Sequence, residues 1–500
     1  MEPFEFTWIF VVGTIIALID AYGIGANDVA NSFATSVSSG SLTLPQACMI
    51  AIFTEFLGAF LLGSTTAETI KSKIIDLNLF ADKPELLMFA MLCALIGSAS
   101  WVLFATRMGW PVSTTHSIVG AIIGVGISGF GSKAVNWAWK GVGQIIASWF
   151  ISPALAGLIA VVVFLPIKFF ILGREDSFKR GLIAIPIIFT LTAVVDLYYI
   201  VEKGIRTKNT LTDGATAGVI IGCSVFVGLF CVFFFVPWIK RSIKNKENLK
   251  VYHMFVIPFL SERPKRQEPE EKISGELDVE GNEIKPNPSF GKKVLNTILH
   301  GVRKDVTNLK NEKLHEIHDS AVRYDDDTEF MFSYLQVITA SMASFAHGSN
   351  DVANAVGPFA TIYYIWSEAK VDVSGKTNVP YWILAVGGLA IDIGLVTYGY
   401  NIMRSLGNKI TYHSPSRGFT MELAASISVL TASGLGWPVS TTHCITGSTA
   451  AVGLTNGNAK AVNWRMLAWC MFSWILTLPV AGSLAGLLFA FGTRSPSLLS

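Results

Sequence analysis

Of 500 residues, 51% are hydrophobic and only 15% are charged, against about 25% charged in an ordinary soluble domain. With a mean hydropathy of +0.50 the composition excludes a soluble globule and describes a polytopic membrane protein. The net charge of +2 offers no basic field for nucleic acid.

The chain opens on Met1-Glu-Pro-Phe-Glu-Phe, with two acids and no Lys or Arg. The basic region of a cleavable signal is missing, so the first apolar span is expected to be retained. At about 20 apolar residues per crossing, spans are predicted at 6–24, 45–63, 86–105, 111–129, 143–171, 181–200 and 215–238. A polar segment follows at 239–330, holding 17 of the 38 Lys/Arg and 17 of the 36 Asp/Glu. Five further spans are predicted at 331–346 running on into 351–366, then 380–403, 418–436, 438–456 and 466–492.

These twelve spans divide into a first membrane half, 1–238, made of a repeat over about 6–171 and two further helices in 181–238. A second half covers 331–492, with a short tail at 493–500. The basic run Lys240-Arg-Ser-Ile-Lys-Asn-Lys directly after the seventh span places the central segment in the cytoplasm by the positive-inside bias. Both termini are then extracellular. Parts of the central segment read as disordered from its charge and prolines, while 290–318 has the spacing of a surface helix. The six cysteines lie in or beside apolar spans without metal-ligand spacing.

Two motifs recur in order. Gly25-Ala-Asn-Asp-Val-Ala-Asn31 is echoed by Gly348-Ser-Asn-Asp-Val-Ala-Asn354, and Gly109-Trp-Pro-Val-Ser-Thr-Thr-His116 by Gly436-Trp-Pro-Val-Ser-Thr-Thr-His443. From Asp28 to Pro111 is 83 residues, and from Asp351 to Pro438 is 87. Ala134-Val-Asn-Trp137 and Ala461-Val-Asn-Trp464 follow. One copy starts outside and the other after a cytoplasmic loop, which makes an inverted-topology repeat. In such folds ligands bind near the midplane, where helices are interrupted. Gly and Pro in both motifs are expected to supply the interruptions.

Pro-Val-Ser-Thr-Thr reads as a helix start, with Ser/Thr at the cap. Two such N-termini, at Ser113, Thr114, Thr115 and at Ser440, Thr441, Thr442, offer N–H groups and hydroxyls to an oxyanion. The bland alternative is that the hydroxyls bond to their own backbone. Asn27, Asp28 and Asn31, with Asn350, Asp351 and Asn354, supply hard oxygen ligands for an alkali cation or groups for a proton relay. No Lys or Arg lies in any of the four motifs. The charge of a bound anion must then be offset by co-bound cations, which is the physical case for symport.

Glu55, Glu422 and Asp392 are further ionisable residues within spans, readable as ligands, gate elements or buried protonated groups. The repeat alignment puts Glu422 opposite Leu95 and Asp392 opposite Phe56, so neither is the mate of Glu55. His116 and His443 read equally as packed core histidines or proton carriers. No nucleophile, base and orienting group occur together, and no Gly-Lys phosphate loop is present, so an enzyme is not expected.

The paired Gly-x-Asn-Asp-Val-Ala-Asn and Pro-Val-Ser-Thr-Thr-His motifs resemble the PiT family of inorganic phosphate transporters. Ser414-Pro-Ser-Arg-Gly-Phe and Ala461-Val-Asn-Trp-Arg are most similar to its fungal sodium-coupled branch. The resemblance implies an all-α fold of about twelve transmembrane helices in two inverted repeats with broken or re-entrant helices at the midplane. It further implies plasma-membrane symport of inorganic phosphate with Na⁺, with no cofactor and with a homodimer as a possible assembly. By motif position it implies phosphate contacts from Ser113, Thr114, Thr115, Ser440, Thr441, Thr442, Asn27 and Asn350. Na⁺ contacts would come from Asp28, Asn31, Asp351 and Asn354, and transport roles fall to Glu55 and Glu422. H⁺ coupling and a phosphate sensor with little transport are the alternatives.

Overall fold

The computed structural model describes residues 1–205, 212–265, 312–373, 375, 378–407 and 409–494. Among these, the chain is helical apart from short turns and two isolated β-bridges. The first half contains α1 (Thr7–Asp28), α2 (Ala30–Ser38), α3 (Leu44–Ser72), α4 (Pro84–Met108), α5 (Thr114–Phe130) and α6 (Gln144–Ile167). It continues with α7 (Ser177–Tyr198), α8 (Asp213–Phe230) and α9 (Val236–Ile243). After α10 (Glu312–Asp319) come α11 (Asp326–Glu368), α12 (Tyr381–Tyr398), α13 (Tyr400–Leu406), α14 (Pro415–Gly434), α15 (Thr441–Leu454) and α16 (Trp464–Arg494).

Eight spans among the described residues are long and apolar enough to cross a membrane, fewer than the twelve expected. The shortfall lies in the helices that line the centre. α5 has 17 residues and α15 has 14, or about 26 and 21 Å at 1.5 Å per residue, short of a hydrocarbon core about 30 Å thick. α11 and α14 bury polar residues in mid-helix, among them Gln336, His347, Asp351 and Glu422, and so lose mean hydropathy.

The packing is reciprocal. α1 lies against α4 and α12, and α11 against α14 and α3; α5 packs on α16, and α15 on α6. Glycine makes the closest of these approaches possible. A Cβ on Gly25 would stand 1.8 Å from Ile391 O and one on Gly348 would stand 2.2 Å from Glu55 O. Gly394 and Gly58 face Tyr22 O and Phe345 O in the same way. Glu55 therefore sits where its counterpart is Ile391, in agreement with the alignment.

This corrects the expectation that the Asn-Asp motifs break their helices. α11 runs unbroken for 43 residues through Gly348–Asn354, and α1 continues into α2 with only Val29 between them, itself in right-handed helical conformation. The glycines admit a neighbouring backbone rather than a kink. The interruption falls at the Pro motifs. Gly109 and Gly436, at φ of +69° and +67°, turn the chain after α4 and α14, and Pro111 and Pro438 lie in the non-helical segment before the next cap.

The third echo is a matched clamp. Asn136 N donates to Ile74 O at 2.9 Å and Asn463 N to Ile410 O at 2.8 Å, while Trp137 Nε1 and Trp464 Nε1 bond back to Ser132 O and Ala459 O. In the central segment, Arg241 holds Glu247 at 2.6 Å and bonds Leu260 O, folding the chain back after α9. Of the surface helix expected over 290–318, α10 is the end, and 290–311 lie outside the described residues. Arg417, fully buried at the start of α14, ties that helix to Val322 O at 2.6 Å and Asn456 Oδ1 at 2.7 Å.

Candidate functional site

At the centre, α1 and α11 each present their Asp to the starts of α5 and α15. Both starts are capped as the sequence predicts: Ser113 Oγ accepts from His116 N at 3.2 Å, and Ser440 Oγ from His443 N at 3.3 Å. The two caps free the adjacent threonines to point elsewhere. Thr114 Oγ1 donates to Asp28 Oδ2 at 2.6 Å and Thr442 Oγ1 to Asp28 Oδ1 at 2.8 Å. Thr441 Oγ1 donates to Asp351 Oδ2 at 2.8 Å, and Thr115 Oγ1 lies 3.5 Å from Asp351 Oδ1. Each carboxylate thus takes the first threonine of its own half and the second threonine of the other.

The amides complete the crossing. Asn31 Nδ2 donates to Thr442 Oγ1 at 2.9 Å, and Asn354 Nδ2 to Thr114 and Thr115 Oγ1, both at 3.2 Å. Asn350 Nδ2 reaches Asp351 Oδ1 at 2.7 Å and Val439 O at 2.8 Å. The carbonyl oxygens of Asn31, Asn350 and Asn354 are buried and have no partner among the described residues, an arrangement native proteins rarely leave without a ligand or water. These oxygens beside two carboxylates fit a hard cation.

Asn27 differs from its mate. Its Nδ2 donates to Thr106 Oγ1 and Trp110 O, and its Oδ1 accepts from Val112 N at 3.1 Å. It latches the segment leading into α5.

Glu422 lies in a polar shell from α2 and α11. Its Oε1 accepts from Thr35 and Ser36 at 2.5 Å and from Gln336 Nε2 at 3.1 Å, and its Oε2 from Thr339 at 2.8 Å. Glu55 accepts from Ser344 Oγ at 3.0 Å and meets His347 Nδ1 at 2.7 Å. His347 Nε2 lies 2.9 Å from Asp351 Oδ2, so the imidazole spans two buried carboxylates. Ligand atoms of Asp28, His347 and Asp351 lie within 4.8 Å of one another.

Sequence reasoning missed His347. The available signal was its place four residues before Asp351, one turn away on the same helix face, where the first copy has Ile24. It also missed Asp20, buried on α1 beside Ser98. Asp392 is buried, and neither of its oxygens has a hydrogen-bond partner among the described residues. His116 and His443 pack edge to face with ring centroids 4.6 Å apart.

The profile of the phosphate transporter family matches residues 24–485. The chain belongs to this family. A phosphate-repressible phosphate permease of Neurospora crassa is 37% identical over 98% of each chain. A putative phosphate permease of Pyrococcus abyssi is 34% identical over 98% of each. Sodium-dependent phosphate transporter 1 of Mus musculus is 29% identical, covering 97% of this chain and 95% of its own. A solved structure of a sodium-dependent phosphate transporter aligns with a TM-score of 0.70 and 31% identity over 98% of this chain and all of that one. These relatives are transporters and permeases rather than enzymes. In this transporter, then, the crossed Asp–Thr cluster stands at the meeting point of the two motif-bearing halves.

Proposed function

We propose that the protein imports inorganic phosphate by symport with Na⁺, its two halves acting as inverted-topology repeats in alternating access. The observation that carries this reading is the crossing of the threonines. Each Asp is bound by hydroxyls from both halves, and among the described residues no Lys or Arg hydrogen-bonds to either Asp. Sodium dependence in the named relatives supports it.

The geometry also implies an order of events. The hydroxyls needed by phosphate are here engaged by Asp28 and Asp351. A cation drawn to those carboxylates and to the unpartnered amide oxygens lowers their demand for hydrogen bonds, releasing Thr114, Thr115, Thr441 and Thr442 towards an oxyanion. Ser113 and Ser440 hold the helix starts in register. Phosphate then neutralises the cations, and either ligand alone binds weakly. The plasma membrane as the site of action, extracellular termini and a cytoplasmic 239–330 segment belong to the same reading.

The deciding experiment is labelled phosphate uptake into proteoliposomes with Na⁺ and pH gradients imposed separately. Uptake is expected with Na⁺ and absent with a pH gradient alone, and phosphate affinity should rise with Na⁺. Tight phosphate binding in Na⁺-free buffer refutes the ordered scheme. The chain Glu55–His347–Asp351 favours one alternative, H⁺ coupling, because imidazole bridging two carboxylates suits proton transfer. Uptake driven by pH and indifferent to Na⁺ decides for it.

A further inference from the structure

The span Asp213–Ile243, which contains α8 and α9, carries Lys240 and Arg241 in its last turn, and the next stretch of chain folds back on it. Arg241 ties both ends of the fold. Its guanidinium bonds Glu247 at 2.6 Å on one side and Leu260 O and Ser261 O, both at 2.8 Å, on the other. Trp238 Nε1 donates to Lys250 O at 3.1 Å, and Asn248 N to Pro264 O at 3.0 Å. Between these ties lies a 3₁₀ helix, Val251–Phe259, that buries only His253 and Ile257. Val251, Tyr252, Phe255, Val256 and Phe259 face outward, and Phe259 is 88% exposed.

Outward apolar side chains clustered on one short element mark an interaction surface, and the surroundings of this one identify its partner. Phe255 packs on Phe230 of α8 with ring centroids 5.7 Å apart. Phe230 stands one turn from Phe226 on the same helix face, and Phe226 is 69% exposed on a helix apolar enough to cross the membrane. Leu229 and Phe233 beside it are exposed as well. Phe230 precedes Lys240 by ten residues, about 15 Å along the helix. The 3₁₀ helix therefore rests against the lipid-facing flank of α8, within one leaflet of a hydrocarbon core about 30 Å thick. Charge points the same way. From 240 to 265 there are seven Lys/Arg against two acids, and one of the acids, Glu247, is held by Arg241. Lys240, Lys244, Lys246, Lys250, Arg263 and Lys265 are all exposed. Basic clusters directly beyond a membrane span gather anionic headgroups.

We propose that residues 240–265 form an interfacial anchor that binds anionic phospholipid. The rings of Tyr252, Phe255 and Phe259 enter the acyl region, and the surrounding lysines and arginine hold the anionic headgroups. A soluble partner does not fit, because it would have to enter the bilayer beside α8 to reach Phe255. The anchor fixes the start of the segment that joins the two halves to one leaflet. That this leaflet is the cytoplasmic one rests on the orientation proposed above, whereas the lipid contact itself holds on either side.

The test uses full-length protein in nanodiscs of mixed phosphatidylcholine and phosphatidylserine. The exposed Cys223 is replaced by Ser, and a fluorescent dye is attached at Phe259→Cys or, as the exposed reference, at Asp319→Cys. Doxyl-phosphatidylcholine is expected to quench the dye at 259 and spare that at 319, with aqueous iodide doing the reverse. Doxyl-phosphatidylserine at the same mole fraction should quench the dye at 259 at least about threefold more strongly, the mark of headgroups gathered by several basic residues. Lys244→Gln with Lys246→Gln and Lys250→Gln should bring the two lipids to equality. If Phe259→Cys does not elute as one folded species, Tyr252→Cys carries the same expectation. A dye open to iodide, equal quenching by the two lipids in the parent protein, or a preference unaltered by the triple variant overturns the proposal. So does a dye shielded from both doxyl lipid and iodide, since a second copy or another stretch of this chain then covers the face. Nanodiscs present the same lipids on both faces, so none of these outcomes depends on the side. Labelling of Asp319→Cys by an impermeant maleimide on intact cells decides the side separately.

Discussion

Asp28 and Asp351 each sit under hydroxyls from two halves of the chain, and an amide in their place can neither attract a cation nor accept as strongly. Asp28→Asn and Asp351→Asn are each expected to lower Na⁺-driven uptake by about 30–100-fold, the equivalent of 2–3 kcal/mol for charge-assisted hydrogen bonds. The proteins should still elute as folded species by size exclusion. Full uptake with unchanged cation dependence would make the carboxylates structural. For His347, Gln keeps a donor towards Glu55 but cannot shuttle a proton. His347→Gln is expected to retain Na⁺-driven uptake with phosphate affinity weakened about five- to tenfold, the size of one lost buried hydrogen bond. Complete loss of uptake, with the fold intact, argues for a proton route instead.

Helices meet in this protein by backbone contact at glycine. Gly25→Ala puts a methyl 1.8 Å from Ile391 O, and Gly348→Ala puts one 2.2 Å from Glu55 O. Neither can be relieved by a side-chain rotation, so α1 must move from α12, or α11 from α3. Each substitution is expected to cost about 1–3 kcal/mol or more, read as a lower melting temperature. Gly218→Ala in α8 is the contrast, since nothing lies within 4 Å of its added methyl. There the change should be neutral or stabilising by up to about 1 kcal/mol from helix propensity. The same glycines show how far the motifs were legible. Their recurrence marked them as special, yet glycine reads alike as a break or as a place of close approach. Only the neighbouring helix distinguishes the two.

Across the molecule, the two halves are joined by a charged segment whose first part contains the ion pair of Arg241 with Glu247. Arg241 beside Glu247 holds that carboxyl down at about 2, against an ordinary value of about 4.3. A depressed folded value means the contact contributes fully above about pH 4.3 and is lost as pH falls through about 2. Hydrogen-exchange protection across 244–265 is therefore expected to hold at pH 5 and to fall towards pH 2. Protection unchanged over that range would show that other contacts fold this segment. The alternating-access reading is tested at the same level, by single-cysteine accessibility of α5 and α15 from opposite sides with and without Na⁺ and phosphate.

Composition settled the membrane class, because a chain with so few charges has no soluble surface to offer. Two repeated motifs in matched order were legible, and helix starts at Ser113 and Ser440 followed from local capping chemistry that needs no distant partner. The exchange of threonines between halves, the latch role of Asn27 and the unbroken course of α11 could not be read in advance. The first two depend on atoms that are about 80 to 400 residues apart in the chain. The Glu55 partner of His347 and the shell of Glu422 were hidden for the same reason: those contacts exist only once the helices bring distant residues within 3 Å. Local pattern reaches as far as one helical turn, and the site is built from contacts between turns that the sequence keeps far apart.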